Sequence, residues 1–247
     1  MRLSRRAPPG PTVGGMTTKT ALVTGANKGI GLQIARGLRE LGLTVLLGAR
    51  DPIRGKEAAE AIGATAVQLD VTDEDSIARL AERIEVLDVL VNNAGVLLER
   101  GAPPSATPLE MLRETYAVNV FGVVAVTNAL LPALRRAPAA RIVNLGSGLG
   151  SLAYASTPDH VYARNPLLAY NSSKSALSAV TLAYANELRD TPIKVNVADP
   201  GYCATDLNMH SGPRTAEQGA VAAIRLATLP EDGPTGGLID DEGPVPW

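Results

Sequence analysis

The feature that most restricts how this chain can fold is a regular alternation of short apolar runs with longer stretches of helical periodicity. Thr20-Ala-Leu-Val-Thr24 is apolar and β-branched, the pattern of a strand buried on both faces. Similar runs follow at Leu43–Gly48, Thr65–Leu69, Val86–Val91, Arg141–Leu145, Ile193–Ala198 and, more weakly, Gly236–Ile239. Helix-like stretches intervene at about Ile30–Leu41, Arg54–Ile62, Glu74–Ile84, Pro108–Leu134, Leu167–Leu188 and Thr215–Leu229. Thr72-Asp-Glu-Asp75, just before Ile77, has the acidic first turn that favours a helix start. Continuously apolar strands alternating with helices predict an α/β fold: a doubly wound, parallel, seven-stranded sheet with helices on both faces. No repeat or linker divides it, and 247 residues suit a single domain over residues 20–247.

Composition narrows the functional classes. The net charge is −2, which gives no electrostatic footprint for nucleic acid or an anionic membrane. One cysteine, Cys203, excludes an internal disulfide or a cysteine metal cluster. His160 and His210 lack ligand spacing, so no metal is expected. No run of about 18 apolar residues is visible, and no membrane span is expected. Residues 1–19 differ from the rest: a basic start, Met1–Arg6, precedes a stretch rich in proline and glycine. This segment has no apolar core of a secretory signal. It reads as a disordered extension, or as upstream sequence with Met16 the true start, and the expected location is cytoplasmic.

The first strand runs straight into Gly25-Ala-Asn-Lys-Gly29-Ile-Gly31, and Leu32, Ile34, Ala35, Leu38 and Leu41 then recur at helical spacing. Strand, glycine turn and helix is the context of a Rossmann-type dinucleotide site. Glycines let backbone approach a pyrophosphate, and the helix N-terminus offers N–H donors and partial positive charge. The spacing is G-x-x-x-G-x-G, which departs from the generic fingerprint. Tyr170 and Lys174, four apart on a helix, project from one face. A cation beside a phenol favours the phenolate. Lowering a phenol by about three pH units needs roughly 4 kcal/mol. One charge ~4 Å away at an effective dielectric of about 20 supplies that much. Such spacing also arises by chance on helix surfaces.

Thr24-Gly-Ala-Asn-Lys-Gly-Ile-Gly31, Asn92-Asn-Ala-Gly95, Asn119, Ser147, Tyr170-x-x-x-Lys174 and Pro200-Gly201 occur in one order. This set resembles the short-chain dehydrogenase/reductase family over about Thr20 to Trp247, and within it the carbonyl-reductase-type members. The resemblance implies that Asn119, Ser147, Tyr170 and Lys174 are catalytic. Ser147 would orient a carbonyl, Tyr170 would be general acid, and Lys174 would tune Tyr170 and hold a ribose. Asn119 would support the lysine through a water. Gly25, Asn27, Lys28, Gly29, Ile30 and Gly31 would cradle the cofactor. Asp70 and Val71 match an adenine-edge position, and Asn92, Ala94 and Gly95 border the adenine ribose. Asn92 and Asn93 also read as buried amides that tie strands. Pro200, Gly201, Tyr202 and Thr205 match the segment beside the nicotinamide, with Cys203 there either a small filler or a reactive thiol.

Charge points to NADP(H). Dinucleotide folds that use NAD place an acid after the second strand, about 20 residues past the fingerprint. Here that strand ends at Arg50, with Asp51 behind it, and Lys28 is a second cation. Arg50 suits a 2′-phosphate, and the resemblance implies that Lys28 lies near the same phosphate, while Asp51 is expected to neutralise Arg50 in part or to contact a ribose. The family's pair of serines is reduced to one, because Gly146 precedes Ser147. The interval from Ser147 to Tyr170 is longer than is usual, which brings Tyr154, His160 and Tyr162 toward the active-site mouth. The expected activity is NADPH-dependent reduction of an aldehyde or ketone. Oxidation of an alcohol by NADP⁺ would use the same residues, and a non-catalytic NADPH sensor is the reading from another class. A monomer is expected, with a homodimer or tetramer through the two long helices as the alternative.

Overall fold

The computed structural model describes residues 18–247. Residues 1–17 of the expected N-terminal extension lie outside them. Thr18 and Lys19 are exposed and lead into the first strand. The strands are β1 Thr20–Val23, β2 Thr44–Ala49, β3 Thr65–Gln68, β4 Val89–Asn92, β5 Arg141–Leu145, β6 Lys194–Ala198 and β7 Leu238–Ile239. The first helices are α1 Gly29–Glu40, α2 Pro52–Ile62, α3 Glu74–Ala81, α4 Leu109–Tyr116 and α5 Gly122–Leu134. They are followed by α6 Leu152–Ala155, α7 Leu168–Glu187 and α8 Ala216–Ala227.

All seven strands join one sheet in the order β3-β2-β1-β4-β5-β6-β7, and every pairing is parallel. The expected doubly wound architecture is therefore present. Alternation along each strand divides the core into two layers. Ala21 and Val23 of β1 pack with Ile34 and Leu38 of α1 and Ala220, Ala223 and Leu226 of α8. Leu22, between them, faces the other layer with Ile77 and Leu80 of α3 and Val126 and Leu130 of α5. The strand order reverses between β1 and β4. In such sheets the ligand crevice lies outside the carboxyl ends at that point.

Local chemistry sets the helix starts. Asp51 caps α2, accepting from the N–H groups of Ile53 and Arg54 at 2.9 and 3.1 Å. One carboxylate oxygen makes this cap, and the other lies 3.6 Å from Arg54 Nε. Asp73 caps α3 at the predicted acidic start, and Thr215 caps α8 with Gln218 reciprocating.

The stretch expected as one helix over Pro108–Leu134 is interrupted by a π-helical turn, Ala117–Phe121. That wider turn carries Asn119, as π turns often do at functional sites. Leu109–Leu134 is also long and apolar enough to cross a bilayer, with a mean hydropathy of 1.8 in its most apolar stretch. This departs from the expectation of no such segment. Its Val126, Leu130, Ala133 and Leu134 are buried in the core, which accounts for the apolar composition.

The sequence departure at Gly146 has a packing cause. Gly146 follows β5, and a Cβ there would lie 2.2 Å from Val197 Cγ1 on β6. A first serine does not fit beside Val197. We predict that Gly146→Ser destabilises the protein by about 1–3 kcal/mol, the usual range for overpacking. Adding Val197→Ala should restore part of that loss in urea unfolding. Equal stability of wild type and Gly146→Ser would show that Val197 has room to yield.

Candidate active site

The groove begins with the tie between β1 and β4. The Thr24 hydroxyl accepts from the N–H groups of Asn93 and Ala94, both at 3.0 Å. The Asn93 side-chain amide donates back to the carbonyls of Thr24 and Gly25 at 2.8 and 3.1 Å. The glycines serve this tie. Gly25 has φ +60°, and a Cβ there would lie 2.9 Å from Ala94 Cα. A Cβ on Gly31 would come within 2.3 Å of the Asn93 amide. Gly25 and Gly31 are thus required by the protein's own backbone, and not only by a ligand.

The site fits a phosphate-bearing cofactor. Lys28 at the N-cap of α1 offers no side-chain acceptor, so the first N–H groups of this helix are uncapped and available to an anion. The Ile30 side chain points away, toward Gly219 of α8, leaving its backbone at the helix start. A cavity of about 420 Å³ beside this turn has Asn27, Lys28, Arg54 and Asp206 in its wall. Arg50 is exposed just after β2. Two features here escaped the sequence reading. Arg54 joins the cationic side of the cavity, because α2 begins earlier than its apolar period indicates. Lys28 is paired with Asp206 at 2.6 Å, and Asp206 also meets His210 at 2.8 Å. The hydrogen bond from Lys28 is the main reason the Asp206 carboxyl lies below its usual range. No local pattern links positions so far apart in sequence.

Other expected cofactor residues divide. The Asn92 side chain is buried inside the sheet, donating to Thr127 and Asn144 at 3.2 and 2.9 Å. Its side chain, 3% exposed, is turned into the core between β5 and α5. Asp70 closes a turn on Thr72 through one carboxylate oxygen. Val71 packs under Gly122, where a Cβ would come within 2.8 Å of the Val71 carbonyl oxygen. Pro200, Gly201 (φ +69°), Tyr202 and Thr205 form the loop after β6. The Thr205 methyl would be 3.7 Å from a Cβ on Gly29, so this loop folds over the glycine turn. Cys203 is buried and packs tightly on Gly219, where a Cβ would be 2.4 Å from the sulfur. It is a filler.

The sheet's carboxyl edge gathers Asn119, Ser147, Tyr170 and Lys174. Asn119, 1% exposed, clamps the loop after β4. Its oxygen accepts from the Val96 N–H at 2.9 Å, and its nitrogen donates to the Val96 carbonyl and the Ser173 hydroxyl, both at 3.0 Å. A Cβ on Gly95 would sit 3.4 Å from the Asn119 oxygen and 3.8 Å from Lys174 Nζ. Lys174 Nζ donates to the Leu145 carbonyl at 2.7 Å and lies 5.6 Å from the Tyr170 ring centre.

The electrostatics run against the expected direction. Burial pushes the Tyr170 phenol well above its ordinary value; Asp199 adds to this, and Ser147 offsets part. Burial lowers Lys174 to about 8, with Asp199 opposing. Desolvation therefore dominates both shifts, raising Tyr170 and lowering Lys174. Asp199 is the residue missed here. It is 4% exposed, accepts from the Gly201 N–H at 2.9 Å, and is itself raised by burial. Its only sequence signal is an acid placed directly before Pro200-Gly201.

The lengthened segment forms an aromatic group. Tyr154 and His160 stack with centres 4.1 Å apart, and Tyr162 lies 5.1 Å from His160. A Cβ on Gly148 would be 2.4 Å from the Tyr162 ring, which places Tyr162 beside the Ser147 turn.

Comparison with known proteins agrees with this geometry. Residues 19–216 match the family model described as short chain dehydrogenase. The chain belongs to the short-chain dehydrogenase family. It is 36% identical to a short-chain dehydrogenase of Penicillium roqueforti, over 92% of this chain and 96% of that one. It is 32% identical to salutaridine reductase of Papaver somniferum, over 90% and 94% respectively. The structure of NADPH-bound carbonyl reductase from chicken fatty liver superposes with a TM-score of 0.82 at 27% identity, covering 94% of this chain and all of that one, 100%. The chain is a carbonyl-reductase-like member of the family, a nicotinamide-dependent oxidoreductase acting on CH–OH or C=O groups.

The buried lysine gives this short-chain dehydrogenase a pH signature. Folding lowers the Lys174 pKa from 10.5 to about 8, so between those values the unfolded chain binds more protons. The lysine's unfavourable contribution is complete below about pH 8 and is relieved as pH rises toward 10.5. Urea unfolding of wild type and Lys174→Met should show wild type gaining relative stability across that window. A difference between them that is flat with pH would place Lys174 in contact with water.

Proposed function

We propose that this short-chain dehydrogenase is an NADPH-dependent reductase of aldehyde or ketone carbonyls. The observation that carries the reading is Tyr170, 8% exposed, gathered with Ser147, Lys174 and Asn119 at the carboxyl edge of the sheet. The cofactor would lie along the uncapped α1 N-terminus, with Gly25, Asn27, Gly29, Ile30 and Gly31 against the pyrophosphate. Asp70, Val71, Ala94 and Gly95 would line the adenosine. Pro200, Gly201, Tyr202 and Thr205 would border the nicotinamide. Arg50, Lys28 and Arg54 would face the 2′-phosphate. A bound nicotinamide supplies hydride to the carbonyl carbon.

The chain's own groups do the rest. The Ser147 hydroxyl holds the carbonyl oxygen near Tyr170. Tyr170 donates its proton to that oxygen as it gains charge. Lys174, anchored on Leu145, holds positive charge beneath the tyrosine and reaches toward the ribose. Asn119 keeps the Val96 loop and α7 in register with both. The oxidative direction needs Tyr170 to act as a base, and burial together with Asp199 opposes its ionisation. A protonated Tyr170 is the form that carbonyl reduction uses, and this supports the reductive reading. The likeness to an NADPH-bound carbonyl reductase supports the same choice of cofactor and substrate class.

Tyr170→Phe removes only the hydroxyl. Its turnover on a carbonyl panel, followed by NADPH absorbance, should fall by roughly 10²–10⁴-fold, the usual worth of general acid catalysis. NADPH binding should be nearly unchanged, and near-normal turnover would overturn the mechanism.

Cofactor preference tests the charged wall. A hydrogen bond to a charged group contributes about 1.5–3 kcal/mol, or roughly ten- to a hundredfold in affinity. Arg50→Ala should weaken NADPH binding at least about tenfold and leave NADH nearly unchanged. Lys28→Ala should do less, since Lys28 must leave Asp206 to reach a phosphate and presents a point charge. Equal losses for both cofactors in Arg50→Ala, measured by titration, would reduce Arg50 to a solvated strand end.

A further inference from the structure

We infer that Glu99 is a positioning residue for Tyr170, its buried carboxylate capping the catalytic helix from the loop after β4. The inference rests on Tyr170 being the proton donor. Helix α7 starts without a cap of its own, because Leu167 at its N-cap makes no side-chain cap. Ala169 and Tyr170 lie in its first turn, where N–H groups have no carbonyl partner within the helix. Glu99 supplies both acceptors. One carboxylate oxygen accepts from the Ala169 N–H at 3.1 Å and the other from the Tyr170 N–H at 2.8 Å.

The placement is unusual for a glutamate. Glu99 is 5% exposed, and among the described residues no cation forms an ion pair with it. The neighbouring Arg100 guanidinium donates instead to the backbone carbonyls of Leu97 and Glu99. A carboxylate buried without a cation is unfavourable unless donors surround it. Here two N–H groups and the positive end of a long helix face it.

Stability alone does not call for this arrangement. Helices α3 and α8 are capped by Asp73 and Thr215 at their own N-caps. The cap of α7 comes instead from the loop that starts at Asn93–Gly95 and forms the groove wall. The residues just before α7 are turns and coil, so nothing regular on that side anchors its first turn. Helix ends fray readily. Fraying here would carry the Tyr170 ring away from Ser147. Glu99 therefore couples the groove wall to the position of the proton donor, and acts through Tyr170 without touching substrate.

The test compares three variants of the full chain. Glu99→Gln keeps the shape but turns an N–H donor toward the helix amides. Glu99→Asp keeps the charge one methylene short of its partners. Asp73→Ala removes a cap from α3, outside the groove. A displaced catalytic group costs up to about a hundredfold. Glu99→Gln should lower kcat on a carbonyl substrate at least about tenfold, with the Kd for NADPH within about twofold. Glu99→Asp should recover part of the loss, and Asp73→Ala should keep kcat within about twofold of wild type.

A second readout needs no turnover. In protein carrying carbon-13-labelled tyrosine, the Tyr170 resonance is assigned by its loss in Tyr170→Phe. It should shift or broaden in Glu99→Gln and stay unmoved in Asp73→Ala. If wild type reduces no carbonyl, the proposed activity fails and this resonance alone decides the role of Glu99. If Glu99→Gln does not fold, Glu99→Asp carries both readouts. An unmoved resonance with unchanged kcat overturns the inference. So does a kcat loss matched by an equal loss of NADPH affinity, which would make Glu99 a support of the groove and not of the tyrosine.

Discussion

The hydrogen bonds between Thr24 and Asn93 are the constraint on which the rest of the site depends. They join the carboxyl ends of β1 and β4 where the strand order reverses. The glycine turn can leave β1 at the required angle only because Gly25 and Gly31 let Asn93 and Ala94 approach so closely. From the same tie the chain continues to Gly95 and Val96, which Asn119 grips through the π-helical turn. Asn119 then reaches Ser173 on α7, three residues past Tyr170. One chain of polar contacts thus runs from the glycine turn to the helix that carries Tyr170.

Beneath that chain lies a second polar layer inside the sheet. Asn92 donates to Asn144 on the adjacent strand and to Thr127 on α5, and Asn144 donates to Thr181 on α7. Buried amides joined in this way fix register more firmly than apolar side chains, since a slip would cost them these hydrogen bonds. The opposite end of β5 is held differently. There the Arg141 guanidinium donates to the carbonyls of Ala140, Pro192, Leu229 and Pro230. The amino edge of the sheet is closed by structure, which leaves the carboxyl edge for chemistry.

The sheet, its winding and the crevice were legible because they rest on local signals. Apolar runs mark strands, glycines mark the turn, and Tyr170-x-x-x-Lys174 shares one helix face. Strand ends moved by one residue at β2 and β3 and by three at the start of β4, where fading apolarity does not fix the boundary. What escaped was long-range. Asp206 meets Lys28, and Glu99 meets Tyr170, across contacts that have no period in the sequence. Asp51 reads locally as a charge beside Arg50, yet a proline at the following position makes it a helix cap. The sign of the Tyr170 shift was also beyond reach. Spacing shows that a lysine is near, but only burial shows how little water remains to stabilise a phenolate.

That sign bears on how the site works. A tyrosine lowered into its ionising range would be ready to accept a proton, whereas Tyr170 is kept from ionising by burial and by Asp199. The same carboxylate favours the charged form of Lys174 against its own burial. Asp199 thus moves both members of the pair toward their protonated states. It does so from the end of β6, where it also fixes the Gly201 backbone at the start of the loop over the glycine turn. One acid therefore links the loop after β6 to the protonation of Tyr170 and Lys174. Burying it has a cost, seen in its own raised pKa. Sites commonly retain such unfavourable burial where activity requires it. Burial and Asp199 thus set the protonation of Tyr170 and Lys174 from within the fold.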